Sequence, residues 1–500
     1  MGSKSETTKL QKELKMIEIS PITRLEGEAK ISIFLDDEGN VDDAYFQVIE
    51  LRGFERFCVG RPVEELPRIV TRICGVCSWA HHMAGSKTID EIYDVYPEGA
   101  ARKIRELGYH AHIIHSHLAH FYALAGPDIF LGPDADPVMR NIFGLYQTFK
   151  DITKEAIITR IYAQKIQEMI GGTAVHPNCG VPGGVSAPLT KEKKAKIEEY
   201  SKAILEFTKK SVALFQDTIE KRKDLSELIL GDVYYHKTYY MGLVDDKNKL
   251  QLYDGDVRVV SPDGKEVARF KGRDYLEYIA EHVEPWSYLK FPYLKFVGWK
   301  GLVDGENSGV YRVNTLARFN VSDGFTTPLA QEAYDALYEY IGEKPAHNTL
   351  AFNWARIIEA LYASERIVEL ISDPEIMDKN VRPEVKEIVN HRGVGVVEAP
   401  RGTLYHDYIV NDEGLITKLN LVVSTVQNNP GMCMSIKKAA QKLIKNGEIS
   451  EGILNRVEMA FRAYDPCLAC ATHSMIGRMP MEVTIYNSEN KVVKTLRRTL

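Results

Sequence analysis

The sequence lacks long apolar runs and an excess of charge of one sign. No uninterrupted apolar stretch reaches the ~18 residues that a membrane-spanning helix needs, so we expect no membrane span. The 63 lysine and arginine residues against 69 aspartate and glutamate residues give a net charge of −6. This balance excludes the strong positive field that attracts nucleic acid. The N-terminus has no apolar signal core and no paired arginines, so we expect a cytoplasmic protein.

The sequence also has no internal repeat, no low-complexity stretch and no proline/serine-rich linker that would mark a domain boundary. Its 44% hydrophobic and 26% charged residues are ordinary for a globular protein. We therefore expect one large α+β unit over residues 17–473. A solvated tail is predicted over 1–16, and residues 474–500 form a C-terminal extension.

Hydrophobic periodicity predicts the main elements of this unit. Apolar residues alternate over 31–35 and 44–48 around an acidic, glycine-containing turn, which indicates an N-terminal β-hairpin. Apolar residues at three- and four-residue steps predict a core of long helices over 149–170, 197–214 and 354–368. Between 232 and 323, short apolar segments alternate with Asp/Gly turns, which predicts a mostly β or irregular insertion.

Cysteine is scarce, and its placement is informative. The seven cysteines are Cys58, Cys74, Cys77, Cys179, Cys433, Cys467 and Cys470. An odd number in a long chain of this type argues against a disulfide framework and favours metal binding or catalysis. Four of them form two C-x-x-C pairs, which begin 467 − 74 = 393 positions apart.

The local sequence of each pair suits metal binding. Gly75 lets the first loop turn so that its two sulfurs converge. Pro466 is predicted to open a helix, on which Cys467, Cys470 and His473 would face roughly one way. Four converging thiolates suit zinc, an iron–sulfur cluster or nickel. Structural zinc is the commonest use of paired C-x-x-C, and the long separation does not forbid it, so the spacing alone leaves the metal open.

The residues around both pairs carry a family resemblance. R-x-C-G-x-C-x-x-x-H at 72–81 and D-P-C-x-x-C-x-x-H at 465–473 resemble the signature of nickel–iron hydrogenase large subunits. Further segments resemble that family in order: R-x-E-G at 24–27, R-G-x-E at 52–55, P-R-G at 400–402 and the iron-lining segment at 422–425. The amino-acid sequence of residues 420–429 is most similar to the cytoplasmic archaeal-type branch of this family, which contains F420-reducing and heterodisulfide-reductase-linked enzymes.

The resemblance implies a bimetallic centre. Cys74 and Cys467 would be terminal nickel ligands, whereas Cys77 and Cys470 would bridge nickel to an iron that carries carbon monoxide and cyanide. The other three cysteines, which have no partner at ligand spacing, are predicted to be buried small hydrophobes.

The resemblance also implies roles for residues around that centre. Glu26 matches the proton-relay glutamate, and Cys467 is the thiolate expected to take the proton. Arg401 matches the guanidinium above the open metal position, after Pro400, and Ser424 would be a second cyanide donor. For each residue the alternative is an ordinary surface or capping role.

Glu55 and His473 match side chains that hold a separate Mg²⁺ or Fe²⁺ near the C-terminus. One departure concerns the histidine-rich helix, where many relatives carry an aspartate and this chain has Ser116. The five histidines over 110–120 are predicted to be packed and hydrogen-bonded, with no carboxylate companion, rather than a second metal site. A loop over 176–184 is expected to face the small subunit.

We therefore expect the catalytic large subunit of a cytoplasmic nickel–iron hydrogenase, which splits H2 reversibly into protons and electrons. Too few cysteines remain for iron–sulfur clusters, so it needs two kinds of partner: an iron–sulfur small subunit, and a further electron-transfer subunit that is F420-binding or heterodisulfide-reductase-linked. Two alternatives are a zinc-stabilised scaffold and a non-catalytic relative such as a complex I subunit. Relatives generally lose an extension after the residue that corresponds to His473, so residues 474–500 are either removed on maturation or retained and packed.

Overall fold

The computed structural model describes residues 16–385, 387–473, 481–486 and 492–498, the last two segments as backbone. The predicted tail, 1–16, lies outside these residues except for Met16. The helices are α1 Phe54–Phe57, α2 Leu66–Ile69, α3 Ser78–Tyr93, α4 Gly99–Ala119, α5 Ile142–Thr148, α6 Lys150–Gly171, α7 Lys191–Lys221, α8 Lys223–Leu230, α9 Tyr275–Tyr278, α10 Thr315–Val321, α11 Pro328–Ile341, α12 Phe352–Ser372, α13 Ser424–Leu443, α14 Glu451–Arg462 and α15 Leu468–Ala471.

The strands form small sheets. They are β1 Met16–Ile19, β2 Ala29–Leu35, β3 Val41–Val48, β4 Gly180–Val181, β5 Gly184–Val185, β6 Tyr239–Val244, β7 Asp256–Val260, β8 Glu266–Phe270, β9 Ile279–His282, β10 Phe291–Leu294, β11 Tyr311–Arg312, β12 Arg392–Ala399, β13 Gly402–Val410, β14 Ile416–Val422, β15 Met481–Tyr486 and β16 Val492–Arg498. The predicted hairpin is confirmed by the antiparallel pair β2–β3, in which Ile31 opposes Phe46 and both are fully buried.

The long helices form the bundle that the periodicity predicts. Helix α4 packs against α6 and α12, and α7 packs against the same two helices. In α6, Ala156, Ala163 and Ile166 fall on the buried face, and Gly172 ends the helix in a left-handed conformation. Burying a side chain such as that of Ile166 stabilises the fold by about 1.5–3 kcal/mol relative to leaving it exposed.

A three-stranded sheet, β12-β13-β14, lies directly against α3. The approach is close because β12 carries glycine where it meets the helix: a Cβ at Gly395 would lie 1.9 Å from the carbonyl oxygen of Ala84. This contact brings the turn between β12 and β13, which contains Pro400 and Arg401, towards the beginning of α3, where Cys77 lies.

The insertion over 232–323 contains a four-stranded sheet with the order β11-β6-β7-β8, in which β11 is parallel to β6. The prediction of strands is confirmed here, but the prediction missed helix α10. Every residue of α10 is buried, so the helix has no polar face and leaves no amphipathic period in the sequence.

Two features complete the description. Strands β15 and β16 pair antiparallel in the C-terminal extension. In the part of the chain that the structure describes, no helix has both the length and the apolar character that a membrane crossing requires.

Candidate metal centre

The two C-x-x-C loops, which lie at opposite ends of the sequence, meet in the interior. Cys77 is the N-cap of α3 and Cys467 is the N-cap of α15. The Sγ atoms of Cys74 and Cys467 are 3.3 Å apart, and those of Cys77 and Cys470 are 2.9 Å apart. All four sulfurs lie within 4.8 Å of one another, and all four residues are buried. The spatial condition for a shared metal centre is therefore met.

A short backbone bridge fixes the C-terminal loop. Glu26 N–H donates to the carbonyl oxygen of Pro466 at 3.3 Å, and Leu468 N–H donates to the carbonyl oxygen of Glu26 at 2.9 Å. The prediction that Pro466 opens a helix is wrong, because this bridge holds residues 466 and 467 in an extended conformation and α15 begins at Leu468. His473 lies beyond the end of that helix.

The thiols have unequal proton affinities. Hydrogen bonds from Cys467, Cys470 and Cys77 hold the pKa of Cys74 well below its usual value. Burial raises the pKa of Cys467 and Cys470 well above the usual value. In the metal-free protein, Cys74 is therefore the favoured thiolate, and a metal that binds all four sulfurs must displace the remaining protons.

Glu26 is the carboxylate in contact with this cluster. Its Oε2 accepts hydrogen bonds from the Cys467 thiol at 2.9 Å and from Ala469 N–H at 3.2 Å. Burial raises the pKa of Glu26, and the nearby Cys74 thiolate raises it further. A carboxylate with a raised pKa, in direct contact with a thiol, can exchange a proton with that sulfur.

Arg401 is held over the same cluster by Asp465. Its Nε donates to the carbonyl oxygen of Asp465 at 2.6 Å, and its Nη2 donates to Asp465 Oδ1 at 3.1 Å. Its Nη1 is buried and has no partner among the described residues. Arg356 steadies the arrangement by contacting the Pro400 carbonyl oxygen at 3.4 Å and Asp465 Oδ2 at 3.5 Å.

A small cavity of about 10 Å³ lies between the arginine and the thiols. Arg401, Cys77, Cys467, Cys470 and Ser424 are among the residues that line it. One unpaired guanidinium donor and buried sulfur atoms therefore border the same space, which suits a metal ion that carries small, hydrogen-bond-accepting ligands.

Ser424 and Thr425 begin α13 at the edge of this cavity. The Ser424 hydroxyl donates to the carbonyl oxygen of Gly402 at 2.6 Å. Thr425 Oγ1 accepts from Cys467 N–H at 3.2 Å and so helps to position that cysteine. The sequence analysis gave Thr425 no role, although it belongs to the segment that resembles the iron-lining motif.

Glu55 and His473 lie where the segment at 52–55 meets the C-terminal loop. Arg52 N–H donates to the carbonyl oxygen of Thr472 at 2.7 Å, and Glu55 Oε1 accepts from Leu421 N–H at 2.8 Å. The His473 ring packs edge-on against Phe54 at 5.4 Å, and neither of its buried ring nitrogens has a hydrogen-bond partner within the described segments. An unpartnered buried imidazole fits a metal ligand.

The histidine-rich helix agrees only in part with its prediction. His117 Nε2 lies 2.6 Å from Glu359 Oε2, and His120 Nε2 lies 2.8 Å from the carbonyl oxygen of Arg462. The expectation that no carboxylate accompanies these histidines is wrong, because Glu359 comes from the distant helix α12. His112 is buried with both ring nitrogens unpartnered in the described structure, so the expectation of full hydrogen bonding fails there.

Other residues fall as follows. The remaining cysteines, Cys58, Cys179 and Cys433, are buried and form no disulfide bond. Among the residues described, the four clustered cysteines are the one group of three or more His, Cys, Asp or Glu side chains with metal-ligand geometry. Sequence reasoning also gave no role to Asp465 or His81, although both stand inside the motifs that it quoted.

A buried centre of four thiols from two distant loops, beside a carboxylate and an arginine, defines the protein as a metalloenzyme of the α+β class. The family model described as nickel-dependent hydrogenase matches residues 52–133 and 307–473, and one described as HoxL-like matches residues 16–51. The chain belongs to the nickel-dependent hydrogenase family, as a large subunit, and is an oxidoreductase acting on H2.

Individual relatives support this assignment over nearly the whole chain. An iron-sulfur subunit of the F420-non-reducing hydrogenase of Archaeoglobus profundus is 47% identical over 97% of this chain and 100% of its own length. The corresponding F420-non-reducing hydrogenase chain of Methanothermobacter thermautotrophicus is 42% identical over 96% and 99%. A crystal structure of an NAD+-reducing [NiFe]-hydrogenase in the H2-reduced state superposes with a TM-score of 0.86 at 37% identity, over 92% of this chain and 100% of that one. These comparisons do not favour a zinc scaffold or a complex I subunit.

Proposed function

We propose that Cys74 and Cys467 are terminal nickel ligands and that Cys77 and Cys470 bridge nickel to iron. The observation that carries this proposal is the convergence of four buried sulfurs within 4.8 Å. Cys77, Cys467 and Cys470 line the cavity below Arg401, whereas Cys74 does not, and the iron would lie on the side of this cavity. Thiolates are strong donors to soft and borderline metals, and a sulfur atom can bridge two of them.

The bound centre supplies the binding and heterolytic splitting of H2. The chain then has to remove a proton from a site closed to water. Cys467 Sγ takes that proton and passes it to Glu26 Oε2, the carboxylate oxygen 2.9 Å away. Its raised pKa lets Glu26 hold the proton before release.

Arg401 and Ser424 would contact the small iron ligands, carbon monoxide and cyanide, and Pro400 would support that contact from the same turn. Arg401 Nη1 is the unpaired donor at the cavity, and its other nitrogens are fixed by Asp465. The Ser424 hydroxyl, which donates to the Gly402 carbonyl oxygen, would be a second donor to these ligands. The Pro400 carbonyl oxygen is already held by Arg356, so Pro400 shapes the turn that presents Arg401.

Glu55 and His473 bind a separate Mg²⁺ or Fe²⁺ ion. Support comes from the unpartnered imidazole of His473 and from the backbone contacts that hold both residues against the C-terminal loop. The carboxylate of Glu55 suits Mg²⁺, and the imidazole suits Fe²⁺ equally well.

The electron path leaves the chain through a partner. Four of the seven cysteines are committed to the centre, and the remaining three are scattered, so the chain needs an iron–sulfur small subunit. We propose a cytoplasmic complex with a further electron-transfer subunit, F420-binding or heterodisulfide-reductase-linked. The names of the relatives from Archaeoglobus and Methanothermobacter favour the type that does not reduce F420.

Metal analysis of the natively purified complex tests the centre. We expect nickel and iron in the complex and H2-dependent reduction of a dye. A Cys470→Ser variant should lose both nickel and activity, whereas Cys58→Ser, which removes a buried thiol outside the cluster, should keep both. Stoichiometric zinc without nickel, and no dye reduction, would support a zinc-stabilised scaffold instead.

Mass spectrometry of the same complex tests the extension. If residues 474–500 are removed on maturation, the large subunit ends at His473, and nickel content follows the cleaved form. A nickel-loaded subunit of full length would contradict removal.

A further inference from the structure

We propose that Tyr408 acts through His406 to fix the tautomer of His81, so that His81 presents its Nε2–H to the thiol cluster. His81 Nδ1 lies 3.0 Å from His406 Nε2, and His406 Nδ1 lies 2.6 Å from the Tyr408 hydroxyl oxygen. All three side chains are buried, with His406 and Tyr408 fully so. Tyr408 is a positioning residue in this proposal.

The local fold builds this line of hydrogen bonds from two elements. His406 and Tyr408 are two positions apart on β13 and therefore face the same side of the sheet, towards α3, which carries His81. Gly85 on α3 leaves room for the tyrosine, because a Cβ there would lie 3.3 Å from the hydroxyl oxygen. Thr88 Oγ1 donates to the carbonyl oxygen of His406 at 3.2 Å and holds helix and strand together at this point.

Two arrangements of the hydrogen atoms fit these distances. Both rings are buried, which disfavours their charged form, so each ring is neutral and carries one N–H. In the first arrangement, Tyr408 O–H donates to His406 Nδ1, and His406 Nε2–H donates to His81 Nδ1. In the second arrangement, His81 Nδ1–H donates to His406 Nε2, and His406 Nδ1–H donates to the Tyr408 hydroxyl oxygen.

The hydrogen bonds open to the Tyr408 hydroxyl favour the first arrangement. Tyr408 O–H has no other acceptor among the residues that the structure describes, so the second arrangement leaves a buried hydroxyl hydrogen unpaired. The first arrangement pairs the donors of Tyr408 and His406 and leaves the remaining N–H, that of His81, to the cavity that Cys77 and Cys470 line. It places the proton of His81 on Nε2, the nitrogen that is not bonded to His406.

The consequence for the metal centre rests on the proposed function. His81 lines the cavity that Cys77 and Cys470 also line, so Nε2 is the ring nitrogen available to the thiolates. An N–H that points at a sulfur stabilises the negative charge of that sulfur. An unprotonated nitrogen in the same place would repel it.

The tautomer can be measured on the metal-free full-length chain. We would label histidine with ¹⁵N, record two-bond nitrogen–proton correlation spectra, and assign His81 and His406 by single replacement with glutamine. We expect both rings to carry the proton on Nε2. A wild-type spectrum with the proton of His81 on Nδ1 would overturn the proposal.

The role of the tyrosine is tested with Tyr408→Phe. We expect the His81 ring signals to shift towards a mixture of the two tautomers. Tyr405→Phe is the matched control: it removes a buried hydroxyl from the opposite face of β13, where that hydroxyl contacts Met241 Sδ at 3.5 Å, and it should leave the spectrum of His81 unchanged.

Unchanged His81 signals in Tyr408→Phe, with the protein folded by circular dichroism, would also overturn the proposal. Because the spectra are taken without metal, this failure is distinct from a failure of the proposed function, which would appear as missing nickel.

Discussion

The carboxylate of Glu26 is both a structural and a chemical partner of the C-terminal loop. Its backbone pairs with Pro466 and Leu468, and its side chain accepts from the Cys467 thiol and from Ala469 N–H. The backbone pairing does not depend on the identity of the side chain. Replacing the carboxylate by an amide therefore isolates its chemistry from its structural contribution.

We expect Glu26→Gln to bind nickel normally but to lose activity by at least about 10²-fold, since an amide cannot accept and release the proton. H2-dependent dye reduction measures this loss. Conversion of para- to ortho-hydrogen needs splitting of H2 but no proton exit, so it should persist. Glu28→Gln, an exposed carboxylate two residues away, is the control and should behave as wild type. Equal loss of both activities in Glu26→Gln would contradict a relay role.

Arg401 divides its donors between Asp465 and the cavity, which a lysine cannot do. We expect Arg401→Lys to keep the positive charge but to lose activity by about 10²-fold, as seen for removal of a single preorganised donor. Nickel and iron content should stay near wild type. Arg392→Lys, at a partly exposed pair with Asp407 on the same sheet, should change neither. Wild-type activity in Arg401→Lys would show that the several N–H donors of the guanidinium are not required.

At the scale of elements, the contact between α3 and β12 positions both halves of the centre. Gly395 is needed because a Cβ there would lie 1.9 Å from the Ala84 carbonyl oxygen and 2.6 Å from Thr88 Oγ1. The first of these atoms belongs to the backbone of a helix, so it cannot rotate out of the way. The helix as a whole would have to move from the sheet.

We expect Gly395→Ala to lower the free energy of unfolding by about 1–3 kcal/mol or more, the usual cost of overpacking. Urea denaturation monitored by circular dichroism measures the change. Nickel content should also fall, because α3 begins at the first C-x-x-C loop. Lys418→Ala, at an exposed position on the adjacent strand β14, should stay within about 0.5 kcal/mol of wild type. A stable, fully loaded Gly395→Ala protein would show that the helix can shift without harm.

Elements with a polar face could be predicted from the sequence. Helices α6, α7 and α12 match their predicted stripes, and the β2–β3 hairpin matches its alternation. Helix α10 was missed because it is buried on every side. The π-helical turns His120–Ala125 and Pro127–Leu131 were also missed, because tertiary packing, and not periodicity, selects that geometry.

The candidate site also contains some residues that the sequence indicates and others that only the fold brings together. The ligand cysteines and their neighbours stand in short motifs, so the sequence indicates them. Their support comes from residues far away in the sequence: Asp465 holds Arg401, and Glu359 reaches His117. Such pairs leave no local pattern, because only the fold decides which buried charges meet.

At the scale of the whole molecule, a buried charge network ties the two ends of the chain together. Asp128 Oδ1 accepts from Arg24 at 2.7 Å, and its Oδ2 accepts from Arg462 at 2.6 Å. Arg24 lies two residues before Glu26, and Arg462 lies five residues before Cys467. Asp128 therefore connects the segment that carries the relay glutamate to the segment that carries the second cysteine pair.

At Asp128, the attraction of the neighbouring arginines for the ionised carboxylate outweighs the cost of burying its charge. Burial alone raises its pKa, but the charges of Arg462 and Arg24 outweigh burial and leave the pKa below its ordinary value. A depressed folded-state pKa means that this carboxylate contributes stability above its unfolded value of about 3.9. That contribution disappears as the pH falls through the lower folded-state pKa.

We expect Asp128→Asn to lower the free energy of unfolding at pH 7 by about 3–5 kcal/mol, since the buried Arg462 and the partly buried Arg24 lose their shared counter-charge. The deficit relative to wild type should narrow as the pH falls below about 4, because the wild-type carboxylate is then protonated first in the unfolded chain and, at still lower pH, in the folded protein. Denaturant unfolding between pH 7 and pH 3 measures both effects. Asp134→Asn, which breaks an exposed pair with Arg456, should cost less than about 1 kcal/mol at any of these pH values. A deficit that stays constant with pH would mean that packing, and not charge, joins the two ends of the chain at the metal centre.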